Sequence, residues 1–190
     1  MKAIYKILVI LVLQSTCIQA QTIVDLSNRN GEHNSNTYYK DTTNRLNPFD
    51  GTWVYDDGVT YIKLILTKKI QAPVGDYFED ILIGEFQYKI DGNEVINTLN
   101  NLNTNIIDPY NHKIHGNYFW NNHTPFDDFT TDNFRLKTSI IENGCISHVD
   151  IRTLIHNGQQ AIQIFKRKPL DLYQNCQPVI PGGFYYLIKQ

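Results

Sequence analysis

From Phe49 onward the chain alternates apolar and polar residues with a period of two. The alternation is cut at short intervals by Asp57-Gly58, Asp91-Gly92, Asn143-Gly144 and Asn157-Gly158. Alternation broken by such dipeptides predicts antiparallel hairpins that bury one face. A two-residue loop fixes register, so the last two hairpins can be checked against each other. With Asn157-Gly158 as loop, Ile155 faces Gln160, Thr153 faces Ile162 and Ile151 faces Ile164. With Asn143-Gly144 as loop, Ile140 faces Ser147, Thr138 faces Val149 and Leu136 faces Ile151. Both registers place Ile151 in one apolar stripe running from Leu136, Thr138 and Ile140 to Ile162 and Ile164. Lys137 falls across from Asp150 on the opposite face. A slip of one residue would turn every side chain over. The same rule pairs Trp53 with Ile62 and Tyr55 with Thr60 around Asp57-Gly58. Around Asp91-Gly92 it pairs Lys89 with Glu94 and Tyr88 with Val95. Gly84 interrupts its strand and marks a bulge or bend.

These patterns predict strands near 51–56, 59–68, 78–90, 93–99, 115–120, 134–141, 145–155, 159–167 and 183–188. The fold class is therefore all-β. So wide a sheet with one buried face must curl, close or split to protect its edges. An antiparallel meander closing into a β-barrel is the economical solution, and a two-sheet β-sandwich is the alternative. The β-domain spans 49–190. Residues 21–48 are polar and read as a mobile or loosely docked N-terminal arm.

Residues 1–20 do not belong to the domain. Lys2 and Lys6 precede the uncharged run Ile7-Leu8-Val9-Ile10-Leu11-Val12-Leu13, and Ala20 stands before Gln21, the order of a secretory signal peptide. The run is too short to span a bilayer, which takes about 20 apolar residues. Lipoprotein processing at Cys17 is the other variant, and Leu13-Gln14-Ser15-Thr16 fits it poorly. The mature protein is expected to be exported, periplasmic or extracellular, with no transmembrane segment. Two cysteines then remain, Cys145 and Cys176, and an oxidising compartment favours their pairing as a disulfide. With Lys2 and Lys6 gone, 15 basic residues face 19 acidic ones. The one basic run, Lys166-Arg167-Lys168, is short, so no nucleic-acid partner is expected.

The opening Gly51-Thr52-Trp53 resembles the lipocalin and calycin signature. That resemblance implies that Trp53 closes the barrel floor and that an arginine near the last barrel strand packs over it, with Arg167 best placed and Arg152 second. Thr131-Asp132-Asn133 partly resembles the second lipocalin motif but lacks its usual aromatic third residue. A further resemblance runs over nearly the whole chain. The Ala20-Gln21 junction, Gly51-Thr52-Trp53-Val54-Tyr55, the stretch from Tyr77 to Tyr88 and Asn97-Thr98-Leu99 are similar to a family of uncharacterised exported proteins of flavobacteria and other Bacteroidetes, a domain of unknown function. It implies export and a β fold, and no activity. In the same light Asp41-Thr42-Thr43 resembles the O-glycan acceptor of those bacteria, with Thr42 as the modified residue. Asn122-His123-Thr124 matches an N-glycan sequon, but Pro125 follows it.

Candidate chemistry is sparse. His112-x-x-His115, with His123, Asp108, Asp127 and Asp128 nearby, could offer imidazoles to a metal. Residues three apart on a strand face opposite sides, however, and the ligand set is incomplete. No metal site, catalytic residue or cofactor is expected. The aromatic cluster Tyr118, Phe119, Trp120, Phe126, Phe129 and Phe134 reads either as core and rim packing or as a mouth that grips an apolar or sugar ligand. For the second reading the candidate lining residues are Phe86, Tyr88, Tyr118 and Trp120. The leading expectation is a non-enzymatic barrel holding a small ligand or a partner. The alternative is a structural or interaction module of the cell envelope with a filled core, bound to an envelope protein through an exposed face or edge strand, and an enzyme is the third and least favoured reading. A solvent-open cavity of a few hundred cubic ångströms separates the first two.

Overall fold

The computed structural model describes residues 21–29, 33–120, 135–167 and 176–190. The signal segment, His123, Asp127, Asp128, the Thr131–Asn133 motif and the phenylalanines at 126, 129 and 134 lie outside the described residues.

The elements are strands β1 (Thr22–Asp25), β2 (Thr37–Lys40), β3 (Gly51–Asp56), β4 (Thr60–Val74), β5 (Tyr77–Ile90), β6 (Asn93–Asn97), β7 (Ile114–Trp120), β8 (Arg135–Glu142), β9 (Cys145–His156), β10 (Gln159–Lys166) and β11 (Gly183–Lys189), with short 3-10 turns between some of them. Strands β3, β4, β5, β7, β8, β9, β10 and β11 follow one another around a closed antiparallel barrel. Pairing of β11 with β3 and of β7 with β5 completes the ring. The antiparallel meander barrel expected from the alternation is therefore present, closed by eight of the strands, and the sandwich alternative falls away. The end carrying the β3–β4 turn is called upper below, and the end carrying the β9–β10 turn lower.

The Asn-Gly hairpins have the expected registers. Leu136 pairs with Ile151, Thr138 with Val149, and Lys137 with Asp150, and Ile151 pairs with Ile164. Asn143 and Asn157 adopt φ of 48° and 50°, with Gly144 and Gly158 also positive. Two left-handed residues in succession suit the twist of a tight hairpin. Leu136, Thr138, Ile140, Val149, Ile151, Ile162 and Ile164 are all buried. Ile155, at the end of the same stripe, is 66% exposed, because β9 and β10 run past the lower rim.

At Asp57-Gly58 the loop is longer than two residues, and at Asp91-Gly92 the two-residue loop is kept but a bulge follows it. Trp53 pairs with Leu64 and Tyr55 with Ile62. The turn is longer because the Asp57 carboxylate accepts hydrogen bonds from the amides of Val59 and Thr60, which fold those residues into the loop. The slip is two residues, so the buried face is kept. At Asp91-Gly92, Lys89 does pair with Glu94, but Tyr88 pairs with Ile96. Val95 is the extra residue of a bulge and is 48% exposed.

Strand β5 is central. One edge pairs with β4 along most of its length. The other is shared by β2, which runs parallel to it, then β7, then β6. Gly84 sits at the β7 junction without a register shift. The bulge expected there is absent; a Cβ at Gly84 would lie 2.7 Å from the Ile65 carbonyl oxygen, so the glycine serves close backbone approach instead.

The described residues of the polar segment 21–48 are docked on the barrel. Asp80, buried on β5, accepts hydrogen bonds from the Tyr38 hydroxyl, the Asp41 amide and the Gln71 amide. Leu26, Tyr39, Leu46 and Phe49 join the barrel core. Its buried residues include tyrosines whose polar tips have partners, which composition alone counts as polar surface.

Candidate functional site

Among the described residues the barrel interior is packed with side chains. Aliphatic side chains from all sides leave a void of about 20 Å³, bounded by Ile62, Leu64, Ile140, Val149, Ile151 and Ile180 among others. That is room for about one water. The upper mouth is sealed by residues 176–182. Glu142 accepts hydrogen bonds from the amides of Val179 and Ile180 at 2.8 and 2.6 Å. Lys166 donates to the Ile180 carbonyl at 2.8 Å. Cys145 and Cys176 form the expected disulfide, tying the same segment to the start of β9.

Space of ligand size lies instead at the lower rim. The ends of β9 and β10 overshoot their neighbours and stand beside the start of β3 and the end of β11. Between them is a solvent-open groove of about 360 Å³ lined by Pro48, Trp53, Thr153, Leu154, Ile155, Gln160, Ala161 and Lys189. Trp53 forms the floor. It is buried, and its indole Nε1 donates to the Phe49 carbonyl at 2.9 Å. The ammonium of Lys189 lies 5.2 Å from the indole centroid. This position follows from register, since Lys189 pairs with Trp53 across the β11–β3 junction.

A second polar cluster closes the short β5–β7 seam. There only Leu82, Ile83 and Gly84 pair, with Gly116, His115 and Ile114. Below these pairs the Arg29 guanidinium bridges the strands, donating to Glu79 at 2.8 Å and to Asn117 at 3.2 Å. Tyr110 donates its hydroxyl to the same glutamate at 2.7 Å. Burial, then the Glu79 charge, pushes the Tyr110 phenol far above its ordinary pKa. His112 sits 3.0 Å from the buried Glu85 carboxylate through Nδ1. His115 turns its own Nδ1 to the His112 carbonyl, and burial lowers its pKa. The two imidazoles therefore do not converge as metal ligands. Among the described residues no group of three or more His, Cys, Asp or Glu could hold a metal ion.

The residues singled out from sequence lie in separate places. Phe86 and Tyr88 are inside the barrel, at 0% and 2% exposure. Tyr118 and Trp120 are exposed on the outside of β7, edge to face at 6.1 Å, with the Lys137 ammonium over the indole. The four do not share one surface. Trp53 is buried toward the lower end of the barrel, and the cation near its ring is Lys189. Arg167 is at the upper end, paired with Asp150 at 2.9 Å and near the Phe165 ring. Arg152 bonds Gln163 on the outer wall. Thr42 is exposed, while Asp41 before it is buried and paired with Lys68.

Sequence reading missed Lys189, Gln160, Thr153 and Pro48, whose distance along the chain hides their proximity. The available signal was Ile155, an apolar residue carried to the very turn of a strand longer than its neighbours.

No helix of the described residues is long and apolar enough to cross a membrane. No curated protein and no solved structure matches this chain. One family model, described as a family of unknown function, matches residues 1–168.

Proposed function

This chain belongs to the family of unknown function DUF6705, and we propose that it is an exported, non-enzymatic binding protein whose ligand sits in the lower-rim groove and not inside the barrel. The observation that carries this reading is the contrast in volume. The interior void is about 20 Å³ and the groove about 360 Å³, and small-molecule sites start near 300 Å³. Export is supported by the charged, apolar and small-residue order of residues 1–20 and by the disulfide, which persists in oxidising compartments.

The test is native mass spectrometry of the protein purified from its host, beside an Ile155→Asp variant. Ile155 is exposed, so the variant keeps the core and changes only the groove. The reading expects a small adduct on the natural protein that the variant loses. A bare natural protein, or an adduct the variant retains, overturns it.

A second reading, an interaction module of the envelope acting through its outer wall, has its own observation. Phe165 and Phe184 lie 4.6 Å apart and His156 and Tyr186 4.5 Å apart across β9, β10 and β11. Phe184 and Tyr186 are exposed. Aromatic residues are enriched at protein interfaces. Loss of a pulled-down envelope partner on Phe184→Ser, with the adduct unchanged, would favour this reading.

A further inference from the structure

We propose that the lower-rim groove takes a small amphipathic anion, a carboxylate on a short apolar body, with Lys189 holding the charge. This rests on the groove being the binding site and names the class of molecule it accepts.

The lining contains one formal charge, and it is positive. Lys189 is exposed and forms no salt bridge among the described residues. Its recorded neighbour is the Trp53 ring, and an exposed cation–π contact is worth only about 0.5–1 kcal/mol. Such a contact positions the ammonium without neutralising it. Gly51 leaves room for the stem, since a Cβ at that position would lie 3.1 Å from Lys189 Cε. An anion in the groove therefore meets a cation that is already placed and has no carboxylate to surrender.

The rest of the lining suits the other end of such a molecule. Ile155 and Pro48, both exposed, supply apolar surface. Ile155 is the telling member, because the aliphatic residues Leu136, Ile140, Val149, Ile151, Ile162 and Ile164 of its stripe are buried while it is 66% exposed. Gln160 and Thr153 add an amide and a hydroxyl beside the cation. No acidic side chain lines the groove, so an organic cation would find like charge and no partner.

The test is an amide NMR titration of the disulfide-intact protein with three probes that share one tail: sodium octanoate, octyl glucoside and octyltrimethylammonium chloride, each kept below its micelle concentration. Octanoate is expected to shift the amides of residues 153–161 and Lys189 saturably and more tightly than the other two. Lys189→Gln should weaken octanoate about fivefold, the scale of a partly exposed ion pair, and leave octyl glucoside unchanged, while Lys189→Arg restores octanoate binding. If octyl glucoside binds the same amides as tightly as octanoate, or Lys189→Gln has no effect, the groove stands as a site and the anionic assignment is overturned. If no probe shifts these amides, or octanoate shifts the interior residues Ile62 and Ile151 instead, both the assignment and the groove reading are overturned.

Discussion

Lys166 and Glu142 meet at 2.5 Å inside the upper mouth of the barrel, with both side chains buried. Each also binds the backbone of the segment that seals the mouth, so the pair acts as the lock of that seal. Removing one partner of a buried ion pair costs about 3–5 kcal/mol, because the other charge is left unpaired. Glu142→Gln should therefore lower the urea midpoint by an amount on that scale. The double variant Lys166→Met with Glu142→Gln should recover much of the loss. It leaves no net charge, and the glutamine oxygen still accepts from Val179 and Ile180. A double variant as unstable as the single one would show that the charge is not what matters.

The disulfide closes a loop with a sequence separation of 31. In the chain-entropy model a loop of this size stabilises by about 3–4 kcal/mol. Cys145→Ala with Cys176→Ala should lose about that much in denaturant unfolding. The same loss should follow reduction of the natural protein, and reduction should not affect the variant.

Gly84 and Gly92 make a contrast. A Cβ at Gly84 would lie 2.6 Å from Leu66 Cδ2 and 2.7 Å from the Ile65 oxygen. The Ile65 oxygen is backbone of the neighbouring ladder and cannot retreat freely. Gly84→Ala should cost about 2–3 kcal/mol, the range of overpacked cores. At Gly92, with φ of 75°, a Cβ would meet nothing within 4 Å. Gly92→Ala should cost only the left-handed backbone penalty, about 1–2 kcal/mol. Thermal midpoints of the two variants give the comparison directly.

Alkaline pH should unfold the protein. Burial raises the Tyr185 phenol to about 12, and Tyr38, Tyr77, Tyr88 and Tyr110 shift upward as well, chiefly through burial. The unfolded chain releases these protons near pH 10 while the folded protein holds them. Stability is therefore fully present below about pH 10 and falls as pH rises from there toward the folded value. Tyrosinate absorbance should rise together with loss of the near-ultraviolet circular dichroism signal. Tyr185→Phe should flatten the decline. An unchanged slope in that variant would remove Tyr185 from the account.

The barrel was legible in the sequence where turns were made by the backbone alone. At Asn143-Gly144 and Asn157-Gly158 the left-handed geometry sets the loop at two residues, and every pair on both sides follows. Around Asp57 a side chain took part in the turn and moved the register by two. That effect depends on hydrogen bonds, which a hydrophobic pattern does not contain. Strands β1 and β2 were missed for a related reason. They are short, β2 is held by Asp80 and β1 by its pairing with β2, and the role of Asp80 appears only once β5 is in place. The groove was not legible because its parts come from residues 48–53, 153–161 and 189. Register around a closed ring brings these together, and no local segment carries the signal.

The junction of β3 with β11 joins the first staves of the ring to the last: Val54 pairs with Ile188 and Trp53 with Lys189, and the Gln190 amide donates to the Thr52 carbonyl. Until β11 has been synthesised, every earlier hairpin can form yet the cask stays open along one side. Assembly thus waits on a single long-range encounter, the kind of contact that slows folding most. A chain built this way becomes a closed ring only in the step that brings β11 to β3.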